Sequence, residues 1–304
     1  MLYVQEFFLL NNNNLKMQDK ILNGKQLSVE ILDNLKPKIK LLKQNYNIVP
    51  GLAVILVGCD PASQIYVQRK HEACLNNNIE SKIFKFDNNI TEQELIDLIK
   101  TLNIDSNIHG ILVQLPLPSH INQLKIIETI SPYKDIDGFH PYNMGRLAIK
   151  KPLIRPCTPK GIIRLLKHYN INLSTKHAVI IGASNIVGRP LALEFLMQGA
   201  TTTVCHKSTD KKDLELCCKN ADILCTATGV IDIIPTEWIK PDSIVIDIGI
   251  NRLENGKIRG DINFDKALPI VKYITPVPGG IGPMTVAMLL ENTYESAVNG
   301  LLIN

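Results

Sequence analysis

The chain has 304 residues, 45% of them apolar and 20% charged, a length that fits about two domains and a composition that excludes global disorder. Lys and Arg exceed Asp and Glu by 33 − 29 = 4, and the excess is spread along the chain, without the basic stripe of a nucleic-acid binder. No apolar run approaches the roughly 20 residues that span a bilayer, so neither nucleic acid nor membrane is expected as a partner.

Residues 1–16 read as a loose extension. Their apolar stretch, Phe7–Leu10, is followed at once by Asn11–Asn14, too short a stretch for a secretory signal. Glu6 and the lack of Arg argue against an organellar transit peptide, and Met17 is an alternative start. The seven cysteines are odd in number and show no CxxC pair. That argues against a disulfide framework or a zinc cluster and fits a reducing, cytoplasmic setting. The histidines show no HExxH spacing, so no metal site is expected.

From Lys20 to Asn45, apolar residues recur at Leu27, Ile31, Leu35, Ile39 and Leu42, a helical period that Pro37 should kink or split. GLAVILVG (51–58) is a continuous apolar run, the mark of a strand buried on both faces in a parallel sheet. Asp60-Pro61 supplies an N-cap and an N1 proline for a helix over 61–77. Residues 82–86 read as a strand. Thr91 and Glu94 have capping-box spacing before a helix carrying Leu95, Leu98, Ile99 and Leu102. GILVQLPLP (110–118) reads as another buried strand. Farther on, strands at 178–182, 201–206, 222–229, 243–250 and 272–278 alternate with helices. One of these covers 186–199, another the stretch around Leu214, and a last one 283–302. This succession predicts two α/β domains, the second a doubly wound parallel sheet of the dinucleotide-binding type.

Three features bear chemistry. In AVIIGASNIVGRP, Gly182 ends a strand and Gly188 lies in the first turn of a helix. A tight turn and free N–H groups at a helix start suit a pyrophosphate. Ser184 stands where GxGxxG would have its middle glycine. At the end of the next strand, where NAD-binding folds place an acid, the sequence has His206-Lys207-Ser208. With Arg189 beside the loop, this favours NADP over NAD. In DPASQIYVQRK, Tyr66 and Lys70 stand at i and i+4 on one helical face, with Ser63 on the same side. The Tyr-x-x-x-Lys pair also occurs in short-chain dehydrogenases, but there it follows the dinucleotide loop, whereas here it precedes Gly182. The stretches 133–147 and 276–285 combine glycines with polar, aromatic or proline residues, as close-approach loops do.

Taken together, VGCDPASQIYVQRK, GILVQLPLP, KDIDGFHPYNMGRL, RPCTPKG, IGASNIVGRP, DIGINRLENGK, GDI and ITPVPGGIGPMTVAML closely resemble the bifunctional methylenetetrahydrofolate dehydrogenase/methenyltetrahydrofolate cyclohydrolase family, in one order from about Gly24 to Glu291. The resemblance implies a folate-binding catalytic domain over 17–139 completed by a C-terminal helix over 285–304, a Rossmann-type NADP-binding domain over 140–284, an interdomain cleft, and a homodimer. It assigns Lys70, Tyr66, Gln114 and Asp137 to catalysis, with Leu115, Pro116, Pro278, Gly279 and Gly280 beside the tetrahydrofolate derivative that is the substrate. To the cofactor it assigns Gly182, Ala183, Ser184, Ile186, Val187, Arg189, His206, Ser208 and Ile250.

The implied chemistry suits these side chains. Oxidation needs orientation more than acid–base help. Hydrolysis of the methenyl cation needs a base, and an amine beside a positively charged substrate gives up its proton more readily. Lys70 is the candidate base, held by Gln114 and steered by Tyr66. Asp137 suits the amino-pyrimidine edge of a pterin. After Lys70 the chain has His71-Glu72, where relatives more often carry a basic residue. Two alternatives are a dehydrogenase without hydrolysis and a non-catalytic dinucleotide-sensing module.

Overall fold

A computed structural model describes residues 17–303; the extension expected at 1–16 lies outside them. The chain divides into two compact units, one of residues 28–161 and 285–303, the other of residues 17–27 and 162–284.

The elements up to the first boundary are α1 (Gly24–Tyr46), β1 (Gly51–Val57), α2 (Pro61–Leu75), β2 (Glu80–Phe86), α3 (Glu92–Ile104), β3 (Gly110–Val113), α4 (Gln123–Thr129), α5 (Pro141–Ala148) and α6 (Cys157–His168). Every residue of β1 is buried, as its unbroken apolar run requires. Ala53, Ile55 and Val57 share a core with Leu95, Ile99 and Leu102 of α3 and Ile126 of α4. The capping box on α3 is made as expected: Thr91 Oγ1 accepts from Glu94 N, and the Glu94 carboxylate accepts from Thr91 N. The three strands are parallel in the order β2-β1-β3. Beyond β3, Ile111 N donates to Lys134 O at 2.7 Å, and Ile111 bridges Asp135 in the parallel sense. The segment before Asp137 thus lies along the outer edge of β3.

Two expectations are corrected here. The strand expected over 110–118 ends at Val113, because Pro116 and Pro118 carry no N–H for a ladder. Pro37 does not split α1, which stays one element. Pro37 is on the solvent side, while Ile31, Leu35, Ile39 and Leu42 are 2–6% exposed on the other. Burial of that stripe outweighs one lost backbone bond.

In the second unit, β4 (His177–Ile181), α7 (Gly188–Met197), β5 (Thr201–Cys205), α8 (Lys211–Asn220), β6 (Ile223–Thr226), β7 (Ile244–Asp247), the hairpin β8 (Asn251–Arg252) and β9 (Ile258–Arg259), α9 (Phe264–Ala267) and β10 (Tyr273–Ile274) precede α10 (Ile281–Ile303). Five parallel strands lie in the order β5-β4-β6-β7-β10. This is a doubly wound sheet whose order reverses between β4 and β6. Val179, Ile181, Leu224, Val245, Trp238 and Ile274 anchor its core. The strands are shorter than the apolar runs predict. β6 and β7 stop at Thr226 and Asp247, whose side chains turn to local hydrogen bonds. α7 begins at Gly188 rather than Ile186. Among the described residues no helix is long and apolar enough to cross a membrane.

Candidate active site

Two places combine exposed backbone or polar side chains with the end of a sheet, one in each unit. In the first unit, Asp60 Oδ2 accepts from Ser63 N at 2.7 Å and fixes the start of α2. One turn apart on that helix, Tyr66 and Lys70 are both half-buried, while Ile65 and Arg69 beside them are exposed. Gln114 follows β3, and its backbone N still donates to Ile55 O at 2.9 Å. Its side-chain Nε2 donates to Leu115 O at 2.8 Å, which leaves Oε1 to accept from Lys70 Nζ at 3.2 Å. The order β2-β1-β3 therefore brings the helix after β1 and the residue after β3 to one sheet end, where a parallel sheet reverses and ligands bind.

Asp137 joins this pair. Withdrawal from solvent pushes its carboxyl above the usual carboxylate range, and the Lys70 ammonium draws it back down. Beneath it, Asp135 is 2% exposed and accepts from His140 N at 2.8 Å and Asn143 Nδ2 at 2.9 Å. Burial is the larger effect and pushes Asp135 up to about 7. The folded protein therefore keeps this proton through a range, from about pH 4 upward, in which an unfolded aspartate has lost it. Stability should fall as pH rises from about 4 to 7. Burial also pushes Asp247, in the second unit, up to about 6, with the same sign. Asp135→Asn, whose Oδ1 serves the same two donors, should show a shallower decline, because the Asp135 part is lost. Urea midpoints across that pH range measure it; an unchanged slope would mean that Asp135 is ionised in the native state.

In the second unit, Gly182 takes φ +116° and donates its N–H to Cys205 O at 2.9 Å. A Cβ on Gly188 would lie 1.8 Å from Gly182 O, so loop and helix meet backbone to backbone. Ser184 Oγ accepts from Val187 N at 3.1 Å, and Arg189 Nε donates to Ala183 O at 3.1 Å. No side chain caps α7 from its N-cap, Val187. Beside this loop, across the pairing of Ile181 with Cys205, His206, Lys207 and Ser208 form an exposed turn without a carboxylate. Ser208 N donates to His206 Nδ1 at 3.2 Å. Ile186, within the loop, and Ile250, after β7, are exposed. A glycine-tight loop, a helix start without a side-chain cap and a turn rich in donors fit a phosphorylated dinucleotide.

The structure thus joins Lys70, Gln114 and Asp137, with Tyr66 on the same helical face and Leu115 and Pro116 next in the chain. Pro278, Gly279 and Gly280 belong to the second unit, where Gly279 O accepts from Lys25 N at 2.8 Å. Sequence reasoning gave no role to Asp261. It is fully buried, and its Oδ2 accepts from Thr228 N, Thr228 Oγ1 and Gly229 N at 2.7, 2.8 and 3.2 Å. It shapes the loop after β6, facing Gly182 across the reversal. Only the GDI string pointed toward it.

Comparison with known proteins also gives two domains, with boundaries that differ from those of the two units. The catalytic domain of the tetrahydrofolate dehydrogenase/cyclohydrolase family matches residues 22–137, and its NAD(P)-binding domain matches residues 156–300. The bifunctional protein FolD of Legionella pneumophila (strain Corby) is 51% identical over 281 residues, 92% of this chain and 98% of that protein. The crystal structure of the bifunctional dehydrogenase/cyclohydrolase FolD from Campylobacter jejuni is similar with a TM-score of 0.90 at 52% identity, covering 92% of this chain and 99% of that one. The Trypanosoma brucei dehydrogenase–cyclohydrolase, solved with NADP cofactor and an inhibitor, has a TM-score of 0.89 at 34% identity, covering 92% and 98% of the two chains. On sequence and on fold, the chain belongs to the tetrahydrofolate dehydrogenase/cyclohydrolase family.

Proposed function

We propose that this protein oxidises 5,10-methylenetetrahydrofolate to 5,10-methenyltetrahydrofolate with NADP and hydrolyses the product to 10-formyltetrahydrofolate. The observation that carries the reading is the Lys70 Nζ–Gln114 Oε1 contact at 3.2 Å beside the Asp137 carboxylate, within the domain the family uses for catalysis.

Asp137 accepts hydrogen bonds from the amino-pyrimidine edge of the pterin and fixes its orientation. Tyr66 stacks on the rings. When bound, NADP+ supplies the acceptor for the hydride leaving the methylene carbon. Gly182, Ala183, Ser184, Ile186 and Val187 would hold its pyrophosphate, Arg189, His206 and Ser208 would meet the 2′-phosphate, and Ile250 would give an apolar contact. Hydrolysis falls to Lys70. Its amine takes a proton from water as the water oxygen bonds to the bridging carbon. The bond from that carbon to N5 then breaks, N5 takes up a proton, and the formyl group stays on N10. Of the two water protons, one replaces carbon on N5 and the other is released. Gln114, its amide held by Leu115 O, keeps the amine aimed.

The reading extends to a cytoplasmic homodimer in one-carbon folate interconversion, serving purine, methionine and histidine biosynthesis. Its support is the match along nearly the whole of its relatives. The test is a spectroscopic assay with methylenetetrahydrofolate and each dinucleotide. Methenyl absorbance should rise faster with NADP+ than with NAD+, then decay faster than in buffer alone. Formation without accelerated decay would leave a dehydrogenase only. No formation with either dinucleotide would leave a sensing module.

A further inference from the structure

We propose that Asn292, on α10, is a positioning residue for Asp137; this rests on the reading that Asp137 receives the pterin edge. Asn292 is 1% exposed and uses its whole carboxamide. Nδ2 donates to Ile136 O at 2.8 Å and Arg155 O at 2.9 Å, and Oδ1 accepts from Lys160 Nζ at 2.8 Å. Lys160 is 8% exposed, and Glu291 and Glu295 meet its charge at 3.0 and 2.8 Å. The ammonium therefore holds Oδ1, which turns both Nδ2 protons toward the two carbonyls.

The Ile136 carbonyl belongs to the peptide that leads into Asp137, so fixing it fixes the plane from which that residue starts. Its other partner is Cys157 Sγ at 3.2 Å, a weak donor. On the far side, Gly138 N donates to Asp135 O at 3.0 Å. Asp137 thus sits between two anchored peptides, and Asn292 is the strong anchor of the first. An apolar residue here would leave a buried carbonyl with only a thiol. The Asp137 carboxylate would then swing relative to Lys70 without either catalytic side chain having changed.

The test is a mutant cycle on the full chain, read as KM for methylenetetrahydrofolate, kcat of oxidation and calorimetric Kd for NADP+. Asn292→Ala should raise folate KM about ten-fold, with kcat within about two-fold and NADP+ Kd unchanged. Asp137→Ala should raise folate KM about 100-fold, and the double variant should be no worse, because no carboxylate remains to be aimed. Should Asn292→Ala not fold, Lys160→Met removes the group that holds Oδ1 and should raise folate KM about three-fold. An additive cycle, or a folded Asn292→Ala or Lys160→Met with wild-type folate KM beside an impaired Asp137→Ala, overturns the positioning role. Wild-type folate KM in Asp137→Ala itself overturns the reading beneath it.

Discussion

Lys70→Met should lower the rate of methenyltetrahydrofolate hydrolysis about 1,000-fold, the scale of a lost general base, while folate still binds. Methionine keeps much of the length and the apolar stem but has no basic nitrogen. Gln114 keeps its bond to Leu115 O, so the surroundings persist. The loss of the ammonium removes the one charge that draws the Asp137 carboxyl down. Its affinity for a proton rises, and folate KM should rise a few-fold as pH falls. Oxidation needs orientation rather than proton transfer, so methenyl product should accumulate and persist in the cuvette. Full hydrolytic activity in this variant would remove Lys70 from the mechanism.

Gly188→Ala should have the second large effect, on the other sheet. The added carbon would lie 1.8 Å from Gly182 O and 2.7 Å from its carbonyl carbon. Both are backbone atoms, so no side chain can rotate away. Behind α7, Leu191 and Phe195 are fully buried, which stops the helix from retreating. The loop must deform instead, at a cost of about 3 kcal/mol. Calorimetric affinity for NADP+ should drop about 100-fold, and the thermal midpoint should fall with it. Wild-type affinity would show that the close approach of Gly182 and Gly188 is not what shapes the cofactor site.

These two sites differ in how far sequence reveals them. The Gly182–Gly188 loop is legible because its physics is local: a strand end, a turn and a helix start within seven residues. Lys70 and Gln114 stand 44 residues apart, and only parallel pairing of β1 with β3 brings them together; spacing alone gave an amphipathic helix edge, and the family resemblance supplied the roles. α5 escaped notice because His140-Pro141 and Gly145 read as a turn. The structure caps it with His140 Nδ1 accepting from Tyr142 N at 3.0 Å, outside the usual Ser, Thr, Asp and Asn set. Asp261 and Asn292 escaped for a stronger reason. Asp261 has partners 10, 32 and 33 residues away and Asn292 partners 132–156 residues away, and a buried Asp or Asn carries no periodic signal. Long strand estimates failed for one cause: apolar runs continue past the last ladder bond, into residues such as Gly249 and Pro278 that serve turns.

The first unit is interrupted: residues 162–284 stand between its two parts. On a ribosome making about 5–20 residues per second, those 123 residues take roughly 6–25 s. For that interval a nascent chain holds the sheet that carries Lys70 and Gln114 but lacks the helical segment that grips the Ile136 carbonyl. Asp137 is therefore among the last parts of the chain to settle, and a chaperone meeting the protein during translation would meet this corner unfinished.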